Sequence, residues 1–472
     1  MLNRNVQETI TLLSIYAVPH SCTSRPTTWH GGEFLMGSIT QHPIRSKIDA
    51  LTCALVMNGF TLHDDNAASE VESTDWSFSL FERPDLSNRR RIALEEDGRY
   101  TLRTNLLATQ LDAMGGAMPL HAFSVGRVFD GADADVPARW VIEGVIVEDG
   151  FDARACELVW SRVTQAVYGI GAKARFVTLD ERSYAVECET GEEPFTLAVL
   201  GKASGIARTL LGLPYGGPSA WVFTIDVDDL AMRANGIESR AALYSPVVSF
   251  LDQFKDDAPC MGGSFSHRAA NVLRTHGYRE FYGVGLYGQD AYQKMNMIME
   301  SWDLNNRGAL LQRPFGNFTR VPTVLTPSLQ DALEANYKAG ETCVKIFEIN
   351  HHYLLKQIGT KPELKTSLSF GAFGPSIDRA GFKREVDAVL TELGIKNHFF
   401  IPTDMAIPYD PTDCWVILDE HMQYLDGNFG SICQKARDAH GIEVPAYMAQ
   451  IEIPALERKS AEELHFVPPE EQ

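Results

Sequence analysis

Apolar residues recur at helical spacing after His42-Pro43, at Ile44, Ile48, Leu51, Leu55 and Val56, and the run closes on Asn58-Gly59, which favours a helix C-terminus. Beyond it the pattern shortens to strand-like runs at Trp76–Phe81, Tyr100–Leu102, Ala122–Phe129 and Trp140–Val147. The last two flank Asp130-Gly131-Ala132-Asp133-Ala134-Asp135-Val136-Pro137, whose turn-forming residues predict an antiparallel hairpin. Helical spacing returns over Ala153–Tyr168, further strands follow, and a second helix is expected near Asp228–Asn235.

This pattern divides the chain into an arm at 1–40, a first core at 41–254, a linker at 255–272, a second core at 273–458 and an acidic tail at 459–472. The linker opens on Lys255-Asp256-Asp257-Ala258-Pro259-Cys260-Met261-Gly262-Gly263. The expected fold class is α+β: two antiparallel-sheet cores with flanking helices. There is no short-period repeat, although Leu102-Arg103-Thr104 in one half and Thr319-Arg320-Val321-Pro322 in the other each precede a helix.

Composition narrows the partners. With 472 residues, 44% hydrophobic and 22% charged, the chain reads as soluble and globular. Its 62 acids against 42 Lys and Arg leave a net charge of −20, which repels polyphosphates unless a basic patch intervenes. The densest basic run, Arg89-Arg90-Arg91, is followed by Glu95-Glu96-Asp97 and reads as a solvated face, so no nucleic-acid partner is expected. No window approaches the roughly 20 apolar residues of a membrane span. The apolar stretch Ile10–Tyr16 is short, follows Glu8 and lacks a small-residue cleavage site, so a cytoplasmic protein without membrane contact is expected. The eight cysteines, at 22, 53, 156, 188, 260, 343, 414 and 433, are too dispersed for a Cys-x-x-Cys pair or a zinc knuckle and read as reduced thiols.

Several phrases in fixed order carry more information. They are His42-Pro43, Met57-Asn58-Gly59-Phe60, Leu102-Arg103-Thr104-Asn105, Gly126-Arg127-Val128-Phe129 and Ile142-Glu143-Gly144-Val145-Ile146-Val147, then Phe176, Leu200-Gly201, Leu230-Ala231-Met232, Gly236-Ile237-Glu238-Ser239-Arg240 and Phe250-Leu251-Asp252-Gln253-Phe254. In this order they resemble the α subunit of phenylalanyl-tRNA synthetase. The second half, through Gly277-Tyr278-Arg279-Glu280, Thr326-Pro327-Ser328-Leu329, Asn336, Phe347-Glu348-Ile349, Phe382-Lys383 and Gly427-Asn428-Phe429-Gly430, is similar to the core of the same enzyme's β subunit. The resemblance spans residues 40–458 and implies two class II synthetase-type cores fused in one chain. It also implies the family's (αβ)₂ assembly, which a fused chain would satisfy as a homodimer. The chain begins without the family's basic coiled coil and ends without its anticodon-side domain, and a role in charging tRNA is not expected.

Departures from the family sharpen that expectation. The arginines that the resemblance places on ATP read Asp130 and Asp229, and a carboxylate beside a triphosphate reverses the sign of the interaction. These acids either bridge a metal to phosphate or form a solvated rim; no cofactor and no metal site are expected, and ATP with Mg²⁺ is disfavoured. Strand alternation puts Val128 on the face of position 130 and turns Arg127 and Phe129 to the other side. On the returning strand the family's contacts to the amino group of phenylalanine map to Val141 and Glu143, and Arg139 shares their face while Trp140 points away. On the neighbouring strand the family's His and Ser contacts read Asn105 and Leu107, with Arg103 on the same face and Gln110 retained. The family's aromatic gate has no clear equivalent around Leu179–Tyr184.

What this leaves is a pocket for a small-molecule amino acid: Glu143 for an ammonium, Arg139 or Arg103 as carboxylate anchor, Asn105 and Gln110 as amides, Val141 and Leu107 as walls. Glu143 serves either as the catalytic base, its proton affinity raised by Asp130, or as a tie between strands. His351 and His352 are adjacent on a strand, point to opposite faces and do not share an ion, and Gly283-Val284-Gly285 lacks the frame of a dinucleotide site. The functional expectation is a tRNA-independent enzyme that condenses, cyclises or ligates a free, aromatic amino acid in specialised metabolism. The alternatives are a catalytically inactive amino-acid-binding or regulatory protein, and a residual adenylating enzyme.

Overall fold

The computed structural model describes residues 41–63, 70–74, 91–94, 98–107, 118–129, 135–181, 183–191, 193–214, 216–254, 264–295, 308–356, 359–404 and 408–465. The expected strand Trp76–Phe81 lies outside them. The first helix forms as its periodicity predicts, over Pro43–Met57, and ends on Asn58. The hairpin forms from Leu120–Phe129 and Ala138–Glu148, and helices follow at Ala153–Tyr168 and Val227–Asn235.

The hairpin belongs to a seven-stranded sheet running in space Thr61–His63, Leu120–Phe129, Ala138–Glu148, Ser219–Asp226, Phe195–Lys202, Ser183–Glu189, Lys173–Asp180. Its short first strand pairs in parallel and the others antiparallel. The second half repeats this plan with Arg279–Glu280, Val344–Leu354, Glu363–Phe373, Ala446–Glu452, Tyr424–Ile432, Tyr409–Asp419, His398–Pro402, again with only its first strand parallel. The architecture is α+β, as expected. A third sheet takes three strands from each half.

Alternation along Ala138–Glu148 separates two environments. Ile142 and Ile146 enter the core with Phe123, Phe223, Trp160 and the apolar stripe of the first helix. Val141, Val145 and Val147 face the other way. Gly144 lies on the core side, where a Cβ would come within 2.3 Å of the Phe223 ring, so this step of the strand has room only for glycine.

The halves are joined through buried charge within the unit spanning Ile39–Gln472. Glu280 of the second half accepts from Arg45 of the first helix and from Arg274. Glu70 accepts from Arg127 at 2.8 and 3.2 Å and from the hydroxyl of Tyr353. Asn336 takes the amide of Val248 at 2.8 Å and donates to the carbonyl of Pro246 at 2.9 Å. Burial by itself would raise both glutamates, but the facing guanidiniums prevail and hold each carboxyl at about 2.

Glu280→Ala strips the counter-charge from Arg45 and Arg274, so denaturant unfolding should show a loss of about 3–5 kcal/mol. Because both folded values lie below the ordinary 4.5, the stability that Glu70 and Glu280 contribute is complete above pH 4.5 and disappears as pH falls toward about 2. Thermal melts on the acid side of pH 4.5 should show a steep fall in Tm; a flat profile there would contradict the assignment.

Candidate functional site

Glu143 lies on the face that alternation assigns to it, paired across the sheet with Ser124 and Thr224. Its oxygens are already bonded. Oε2 accepts the backbone N–H of Leu106 at 2.7 Å and of Leu107 at 3.3 Å, and Oε1 accepts the Thr224 hydroxyl at 3.3 Å. The residue is 4% exposed. Burial raises its proton affinity, while the Leu106 and Leu107 amides, Arg139 and Thr224 pull the other way. Desolvation is thus the first cause of the raised proton affinity; Asp130, whose repulsion was also expected to raise it, lies outside the described residues, as does Gln110. In this arrangement Glu143 ties a turn to the sheet, and accepting a substrate proton would require the Leu106–Leu107 turn to move away.

The flanking positions are also committed. Leu106, Val128 and Val141 form a small buried cluster, and Leu107 joins a second one with Val145 and Val147. Asn105 is buried. Arg103 departs from expectation: the strand ends at Leu102, so strict alternation does not carry on to 103, 105 and 107. Its side chain is fully buried, donates from Nε to the carbonyl of Arg127 at 2.8 Å and lies 3.9 Å from Glu70. Arg103 is a strut at the junction of the halves, which removes it as a carboxylate anchor.

Arg139 shares the Glu143 face and pairs with Asp226 at the start of the Val227–Asn235 helix. Asp226 caps that helix by accepting the amide of Asp229 at 3.0 Å. Arg240 reaches Asp226 at 3.8 Å, Asp228 at 3.4 Å and Asp229 at 3.0 Å. Asp228, fully buried, also accepts the amide of Trp140 at 3.1 Å and the hydroxyl of Tyr244 at 3.0 Å. Burial, and then the charge of Asp226, push the Asp228 carboxyl up to about 8. Asp229 is raised by the same two causes, though its side chain is exposed. Sequence reasoning singled out Asp229 but missed Asp226, Asp228, Arg240 and Tyr244; the dense acid run at 226–229, followed by Arg240, was the available signal.

The two neighbouring histidines go to opposite sides, His351 to the Thr366 hydroxyl and His352 to that of Ser367, each at 3.0 Å. His440, Asp331 and Glu334 bring ligand atoms within 4.8 Å of one another. His440 donates from Nδ1 to the Ala436 carbonyl at 2.8 Å and sets Nε2 3.5 Å from Asp331. Burial disfavours its imidazolium, but Asp331 and that carbonyl raise its proton affinity overall, and a proton between imidazole and carboxylate satisfies the arrangement.

Comparison with known families agrees with the fold. Residues 35–186 match the tRNA synthetases class II core domain (F), which sets the class of the first half. Residues 262–453 match the phenylalanyl tRNA synthetase beta chain CLM domain. With both matches in one polypeptide, the chain belongs to the phenylalanyl-tRNA synthetase-like proteins. Among the described residues no helix is long and apolar enough to cross a membrane.

Two substitutions test the site. Glu143→Ala orphans buried amides and should lower the unfolding free energy by about 1–3 kcal/mol for each one left unpaired; unchanged stability would count against the strut. Because the folded value of Asp228 lies above the ordinary 3.8, its carboxyl increasingly opposes folding as pH rises from 3.8 toward about 8. Asp228→Asn should therefore gain in Tm over the wild type as pH rises through that window, with the gap narrowest at its acid end.

Proposed function

We propose that this synthetase-like chain takes a free amino acid independently of tRNA and forms no aminoacyl adenylate. The reading is carried by the pairing of Arg139 with Asp226 and of Arg240 with Asp226 and Asp229. Where the family resemblance calls for positive charge on ATP, the cations are spent on internal carboxylates. An incoming phosphate would have to displace a carboxylate from its arginine and then remain beside it, a repulsive arrangement in a poorly hydrated site.

The bonded oxygens of Glu143 favour amino-acid binding without turnover. A second reading, an enzyme that condenses, cyclises or ligates an aromatic amino acid in specialised metabolism, is supported by the raised proton affinity of Glu143. In either case the fused chain pairs with a second copy, as the family's (αβ)₂ assembly implies.

Amino-acid-dependent exchange of pyrophosphate into ATP should stay at background for every proteinogenic amino acid, and sustained exchange would overturn the proposal. Thermal-shift titration without ATP should give saturable stabilisation by at least one aromatic amino acid. Product formation on adding carbonyl or amine partners would select the enzyme reading, and binding without product the other.

A further inference from the structure

The first half carries a cavity of ≈ 680 Å³ away from the Glu143 turn. It opens where the Ala138–Glu148 strand has ended and the Ser219–Asp226 strand begins. Its wall residue Ala220 pairs with Val147, four steps along the register from the Glu143–Thr224 pair, or about 13 Å at strand rise. The size falls within the range of small-molecule sites.

Its lining combines an aromatic wall with a cation. Tyr184 and Trp221 meet with ring centroids 6.0 Å apart. Lys202 holds its ammonium 6.0 Å over the Trp221 ring and makes no ion pair among the described residues. Arg208 adds positive charge while its own donors are engaged: it holds the carbonyls of two lining residues, Pro218 at 3.0 Å and Pro214 at 3.3 Å. The acid among the lining residues, Asp152, caps the following helix by accepting the amide of Ala155 at 2.9 Å. A locally basic, aromatic hollow thus sits in a chain of net charge −20.

We propose that this cavity binds a small aromatic carboxylate, its ring against the Tyr184–Trp221 wall and its carboxylate on Lys202 Nζ. The inference rests on the reading that the chain takes a free aromatic amino acid, and it gives that amino acid a site other than the Glu143 face. A ring against the wall displaces water from apolar surface, and the ammonium of Lys202 gains the opposite charge it lacks. A ligand with the same ring and an amine instead of the carboxylate would meet Lys202 with like charge.

Calorimetric titration of the full chain with L-phenylalanine, 3-phenylpropionate and phenethylamine tests this. Phenylalanine and phenylpropionate should bind and phenethylamine should not. Lys202→Met, at an exposed position whose loss leaves the fold intact, should weaken both acids by about tenfold or more, the loss of a charge-assisted contact. Tyr184→Ala should weaken them as well, with circular dichroism confirming the fold. Equal binding of phenethylamine overturns the inference. So does undiminished binding of phenylalanine to Lys202→Met, which would place the amino acid elsewhere and leave the free-amino-acid reading standing. If no aromatic acid binds the wild type, both fail.

Discussion

A single buried carboxylate, Glu70, fixes how the first-half hairpin meets the second half. It accepts from Arg127 on the outgoing hairpin strand and from Tyr353 on the long strand of the second half. A carboxylate taken out of water holds its place only if its donors hold theirs, so these three segments are located together. Arg103 fastens the same corner by donating to the carbonyl of Arg127. Gly285 supplies the space: a Cβ there would lie 2.3 Å from Arg127 Nη1, so the second half can close over the guanidinium only with glycine at that turn.

Fixing Arg127 also fixes what its neighbours face. With Arg127 turned toward Glu70, Val128 turns to the opposite side, where it meets Val141 and Leu106. The junction therefore sets the register of the face that carries Glu143 and Arg139. There the chemistry is turned inward: a carboxylate holds backbone amides, and Arg139 and Arg240 pair with Asp226 and Asp229.

Much of this was legible in the sequence because it depends on local periodicity. The first helix, the hairpin, the Ala153–Tyr168 helix and the face of Glu143 all follow from spacing and alternation. The placement of Arg103 was not, because alternation is assured only within a strand, and this strand ends at Leu102. The occupancy of Glu143 was also hidden: its donors are main-chain amides 36 and 37 residues away, and a backbone amide leaves no residue-type signature. Asp226 and Asp228 read as ordinary helix-cap and first-turn acids, and only the fold shows that Arg139 and Arg240 converge on them. The duplicated strand order of the two sheets is likewise a property of topology, shared by halves in which no short repeat can be read.

Fold and site chemistry are separated by the two faces of the sheet. The core side depends on Ile142, Ile146, Phe223 and the bare Gly144 step, and none of these touches the charges. The opposite side carries Arg139, Glu143 and the partners at the start of the Val227–Asn235 helix. Period-two geometry places these sets on alternate residues of one strand, so the charge face can change sign while the core face keeps its packing. A match to a synthetase core therefore reports the fold of the sheet and not its site chemistry. The chemistry is decided by groups on the other face, which such a match leaves open.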